Sequence, residues 1–161
     1  MEQEHGQYSI LKQKAATYCS LAEHCESEVR DKLIDWGADN EECISQIINY
    51  LIGNNFISPT RYCRAYAHDK LIYQGWGKRK IEMMLRQKQL PPQNIREALN
   101  AINNEQYRDI LLSLLQKKAR SLKRETGDIL QTKLLRFAAS RGFDYASSIY
   151  CIKKLGLQNN I

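Results

Sequence analysis

The sequence predicts an all-α protein made of three tandem three-helix modules, and three observations carry that prediction. Apolar residues recur at helical spacing along nearly the whole chain, with no alternation of the strand kind. The apolar positions then repeat at a shift of 52 residues and again at a further shift of 53. The turns between helices fall at matching places in all three copies, which is how an array of small stacked modules reads in sequence.

Leu11, Ala15, Tyr18 and Ala22 share the face of a first helix, preceded by a tail over residues 1–9. Val29, Leu33 and Trp36 mark the second helix, and Cys43, Ile47 and Leu51 the third. Gly53-Asn54-Asn55 closes this first module, residues 10–57, because Gly and Asn tolerate the left-handed conformation at a helix end. Ser58 as N-cap and Pro59 at the first helical position open the second module, residues 58–104. Tyr62, Ala65, Tyr66 and Tyr73 share one stripe of its first helix and are expected in the core. After Gly75-Trp76-Gly77 come Ile81, Met84 and Leu85, and Pro91-Pro92 starts a helix with Ile95, Ala98, Leu99 and Ile102. The third module, residues 105–161, reads Leu111, Leu114, Leu115 and Leu122, then Leu130, Leu134, Phe137 and Ala138, then Tyr145, Ile149 and Ile152. The shifts place Val29 on Ile81 on Leu134, and the Gly37 turn on Gln89 and on Gly142.

Charge follows the same divisions. Residues 1–57 carry a net −6, whereas residues 58–104 and 105–161 carry +6 each, so the overall +6 conceals an acidic module joined to two basic ones. With 43% hydrophobic and 26% charged residues the chain is not a disordered polyelectrolyte. No apolar run reaches the length of a membrane span and the start of the chain is unlike a signal peptide, so a soluble cytoplasmic protein is expected. Cys19, Cys25, Cys43, Cys63 and Cys151 form no CxxC pair and read as free thiols.

The chemistry-bearing residues point to binding. Lys78-Arg79-Lys80 begins just inside a helix N-terminus, with Arg86 and Lys88 one and two turns later and Lys70 on the helix before. Cations at a helix N-terminus suit a phosphate or carboxylate, and the same residues also suit a plain solvated face. Trp76 precedes the expected N-cap Gly77 and lies five residues before Ile81, the spacing of a hydrophobic staple, which is the favoured reading; stacking on a base or insertion into a partner pocket is the alternative. Lys117, Lys118, Lys123, Arg124, Lys133, Arg136 and Arg141 form a second basic group, of which some members would only complement a helix C-terminal dipole. No catalytic motif appears, and His24 beside Cys25, or Cys63 with His68, supplies too few ligands for zinc. No cofactor, no metal and no enzymatic activity are expected.

The stretch from Phe56-Ile57-Ser58-Pro59-Thr60-Arg61-Tyr62 through Asp69-Lys70-Leu71 and Gly75-Trp76-Gly77-Lys78-Arg79-Lys80-Ile81 to Leu85-Arg86-Gln87-Lys88 resembles the central signature of the RecX family, bacterial regulators of the RecA recombinase. Glu28-Val29-Arg30-Asp31-Lys32-Leu33 before Gly37, and Leu135-Arg136-Phe137-Ala138 before Arg141-Gly142-Phe143, agree with it. Two departures stand out. Cys25 occupies a cap position where such proteins commonly carry Ser or Thr, so that either Ser27 would cap instead or the helix would start less crisply, and Gln89 replaces a turn glycine.

The resemblance implies an elongated, curved protein that lies along the groove of the RecA–DNA filament. It would act there as a monomer and hinder strand exchange, ATP turnover and coprotease activity in DNA repair and the SOS response. It also implies possible direct contact with single- or double-stranded DNA. Two other readings stay open from the residues alone: a stand-alone DNA-binding protein using the basic modules on phosphates, and a helical scaffold for another acidic partner.

Overall fold

Short polar caps and left-handed turns divide the described residues, 2–156, into nine helices in this computed structural model. The first three are α1 (Glu2–Leu21), α2 (Glu26–Asp35) and α3 (Glu41–Gly53). Next come α4 (Pro59–Gln74), α5 (Lys78–Gln87) and α6 (Pro92–Asn100), then α7 (Asn104–Ser121), α8 (Gly127–Ser140) and α9 (Tyr145–Lys154). No strand occurs among the described residues, and residues 157–161 of the third module lie outside them. The side chains of Asn40, Ser58, Asn103 and Asp144 each accept a bond from the backbone N–H three residues on, starting α3, α4, α7 and α9.

The repeat is exact in the turns that follow α2, α5 and α8. Gly37, Gln89 and Gly142 have φ of 99°, 64° and 94°. The next residue in each case, Ala38, Leu90 or Phe143, donates its N–H to Leu33, Leu85 or Ala138. These are Schellman turns, and their three positions obey the shifts of 52 and 53. Gln89 therefore adopts the left-handed conformation without being glycine, because the bonds on either side of it hold the turn closed.

Two apolar cores result. One lies within the first module and contains Leu11, Ala15, Val29, Leu33, Ile44, Ile47, Ile48 and Leu51. The other is continuous from Tyr62 to Ile152 through the second and third modules, and takes only Cys25 from the first. The molecule is elongated: its accessible surface is 10233 Å², against about 8,300 Å² for a compact monomer of this mass.

Several expectations need correction. The tail over 1–9 is helical from Glu2, and Gln7 there donates its amide to the Gly37 carbonyl at 3.1 Å. Tyr73 is 74% exposed and Tyr145 67%, so both leave the stripes assigned to them. Cys43 is half-buried while its neighbour Ile44 fills the core. Cys25, not Ser27, is the N-cap of α2, and its thiol makes no cap bond to the backbone.

The second and third modules meet backbone to backbone. Gly77 N–H donates to the Arg141 carbonyl at 2.7 Å, and Arg79 N–H to the Gly142 carbonyl at 3.0 Å. A Cβ on Gly77 would stand 2.4 Å from the Gly142 and Phe143 backbone, and one on Gly142 would stand 2.5 Å from Lys80 Cβ. Gly37 shares the positive φ of Gly142 but has open space around it. Gly142→Ala should accordingly cost about 3 kcal/mol, from strain and collision together, and Gly37→Ala about 1 kcal/mol, from strain alone. Urea unfolding of both variants measures the difference; equal losses would mean that the joint adds nothing to the turn.

Candidate functional site

Three bonds occupy the first three N–H groups at the start of α5, one of the places the sequence offered to an anion. Besides the Arg79 bond to Gly142, Lys78 N–H donates to the Tyr107 hydroxyl at 3.0 Å, and Gly77 N–H is held by Arg141. The helix dipole there is answered by the third module, so the cations of this region act through their side chains. Burial pushes the Tyr107 phenol up to about 12, against the lowering effect of the Lys78 N–H, so the ring stays neutral at this junction.

Aromatic rings organise these cations. Lys80 Nζ lies 4.4 Å from the Trp76 ring centre, and Lys70 Nζ 4.8 Å from it and 5.4 Å from that of Tyr66. Trp76 meets Tyr66 edge-on and is half-buried against the core that contains Ile81. Across the joint, Lys118 Nζ and the Arg141 guanidinium lie 5.4 and 5.2 Å from the Phe137 ring centre. Lys118, Lys133 and Arg136 line a shallow depression with Phe137, and Leu122 connects it to a second depression lined by Arg120, Lys123 and Arg124. A basic strip thus runs from α4 over the Gly77–Gly142 joint to α7 and α8. Cation–π contacts fix an ammonium without neutralising it, so these charges remain available to an anion.

Other candidates separate from the strip. Arg86 pairs with Glu82 at 2.9 Å, Lys88 reaches Glu28 at 3.9 Å, and Lys78 turns to the Tyr107 ring at 5.0 Å. The sequence cluster from Lys78 to Lys88 is therefore dispersed over three surroundings, not gathered on one face. Arg79 is exposed, as are Lys117, Lys123, Arg124 and Arg136. Lys133 pairs with Glu125 at 2.6 Å. Arg141 donates to the Gln74 carbonyl at 3.2 Å, complementing the C-terminus of α4, a helix of the neighbouring module. Sequence reasoning missed Phe137 and Tyr66 as platforms; each lies within one helical turn of a basic residue on its own helix, and that spacing was the available signal.

A second polar centre joins the first two modules. Glu28 is 3.2 Å from both His24 Nδ1 and the Cys25 thiol, and its carboxylate also accepts from Tyr62. Burial works against its charge, yet the hydrogen bonds from Tyr62, Cys25 and His24 and the nearby Lys88 hold its pKa below the usual carboxylate range. His24 stacks on Tyr18 at 3.7 Å, and His68 is exposed beside Asp69. Among the described residues, no three His, Cys, Asp or Glu side chains gather as a metal site, and no helix is long and apolar enough to cross a membrane.

Fold and surface define a helical-repeat protein of three-helix modules with a ring-studded basic face. The family models for the RecX second and third three-helix domains match residues 60–99 and 105–147, together just over half of the chain. The chain belongs to the RecX family. It is 35% identical over 141 residues to the regulatory protein RecX of Clostridium botulinum strain Alaska E43, covering 85% of this chain and 65% of that protein. With the regulatory protein RecX of Clostridium perfringens strain 13 it shares 32% over 132 residues, 81% of this chain and 61% of the relative. The chain thus spans somewhat under two thirds of the length of these relatives. The crystal structure of RecX from Lactobacillus salivarius superposes with a TM-score of 0.86 at 24% identity, covering 95% of this chain and 99% of that one, which shows the shared fold.

Trp76 is held by the core on one side and by two ammonium groups on the other. Trp76→Ala should lower stability by about 2 kcal/mol, half the usual loss for a buried ring, and Trp76→Phe by less than half of that. Chemical denaturation decides it; an unchanged midpoint for Trp76→Ala would leave the ring a purely external contact.

Proposed function

We propose that this chain is a non-enzymatic regulator of a RecA-type recombinase, binding the RecA–DNA filament along its groove as a monomer in the cytoplasm. It restrains strand exchange, ATP turnover and coprotease activity, and so acts in DNA repair and the SOS response. The observation that carries the reading is the basic strip, rigidly continuous across the second and third modules of a RecX-family fold. An elongated body with cations fixed along one side fits a long polyanionic groove, where many weak contacts add over a large surface. The first module, with its net −6, meets a different part of the same assembly.

One observation favours a second reading. Rings alternate with cations along Tyr66, Lys70, Trp76 and Lys80, as they do on surfaces that bind single-stranded nucleic acid alone. On that reading the affinity for bare DNA falls steeply with salt, roughly in proportion to the phosphates neutralised.

Reversing the strip separates the two. Lys80→Glu/Lys118→Glu/Arg136→Glu should raise the concentration needed to half-inhibit RecA strand exchange by about tenfold or more, with helicity retained. Strand-exchange assays beside circular dichroism measure this. A folded triple variant that inhibits like the parent removes the strip from the mechanism, and inhibition that tracks bare-DNA affinity through every variant favours the DNA-only reading.

A further inference from the structure

The two joints of the array are the same construction in different chemistry. The repeat shifts of 52 and 53 place Cys25 on Gly77, Ser27 on Arg79, Lys88 on Arg141 and Gln89 on Gly142. Each joint seats the start of one module's second helix against the second turn of the next module. Each also receives a tyrosine four residues beyond an N-cap: Tyr62 after Ser58 reaches Glu28, and Tyr107 after Asn103 reaches Lys78.

We infer that the first module swings as a unit about its joint with the second, whereas the second and third modules move as one rigid body. At the stiff joint two glycines let the backbones touch, and two N–H···O=C bonds of 2.7 and 3.0 Å lock the geometry. At the first joint Cys25 and Gln89 stand where those glycines would be. Among the described residues no backbone bond crosses here, and the bonds between the modules are made by side chains, among them the Ser27 hydroxyl to the Lys88 carbonyl at 3.0 Å. The Arg61–Glu23 pair at 2.8 Å and the longer Lys88–Glu28 pair add contacts between partly exposed side chains, which rearrange at little cost.

Packing repeats the contrast. α4 packs on α7 across the stiff joint, whereas among the described residues no helix of the first module packs against a helix of the other two. The apolar core is continuous across the second joint and is broken at the first, where Cys25 alone crosses. A cavity of about 180 Å³ opens at the first joint, lined in part by Cys25, Ser27, Ile57, Lys88, Leu90 and Pro91. Interiors are close-packed and resist displacement, so motion concentrates where packing is interrupted and few bonds cross. The swing carries the acidic module relative to the basic strip, and it does not depend on which polyanion the strip binds.

Nitroxides attached in pairs through a keto amino acid, which leaves the native thiols untouched, test this in the full chain. One pair joins exposed positions 46 on α3 and 96 on α6, the other 96 and 146 on α9. Pulsed EPR should give a 46–96 distance distribution at least about twice as wide as the 96–146 one. Ser27→Ala should widen the first distribution further and leave the second alone. Equal widths in the parent, or a Ser27→Ala distribution no wider than the parent's, would overturn the inference.

Discussion

Everything beyond residue 58 rests on the approach of two glycine backbones, Gly77 at the head of α5 and Gly142 in the turn after α8. Their missing Cβ atoms let the Arg79 N–H reach the Gly142 carbonyl and the Gly77 N–H reach that of Arg141. The contact merges the cores of two modules and occupies two of the free N–H groups that a helix start otherwise offers to an anion. It also packs Lys80 against Gly142, the neighbour of Arg141, whose guanidinium lies over Phe137, so a contact within the fold brings charges of two modules onto one strip. The alignment of these cations therefore depends on a joint that carries no charge of its own.

The ends of the array are treated differently from its joints. The Gly37 carbonyl, which corresponds to that of Gly142, accepts the side-chain amide of Gln7 from the early turns of α1. α8 is four residues longer than α5, so the place corresponding to Gly77 lies inside a helix and cannot receive another turn.

Much of this was legible in the sequence. Helical spacing of Val29, Leu33, Ile81, Leu85, Leu134 and Ala138 gave the helices, and the equivalence of Gly37, Gln89 and Gly142 gave the repeat, even though Gln89 is not glycine. What could not be read was long-range. Nothing near Gly77 in the chain says that a turn 65 residues later will cap it, because that pairing depends on how modules stack. The same holds for Arg141, which reads as a surface cation and serves α4, and for Lys88, whose carboxylate partner Glu28 lies on α2. The tail over 1–9 was misread because Gly6 and the polar residues around it lack an apolar stripe; the helix is continued there by its link to the Gly37 turn. Basic composition announced a polyanion, but the rings that hold the ammonium groups emerged only from the packing.

On the proposed reading the chain is a filament-binding regulator whose basic strip works as part of a stacked body. Co-sedimentation of the protein with pre-formed RecA–DNA filaments, with bare DNA at the same salt as control, tests that claim most directly. The account predicts that the protein pellets with the filament well beyond its recovery with bare DNA. Protein that stays in the supernatant with filaments, or that pellets equally with bare DNA, would contradict it.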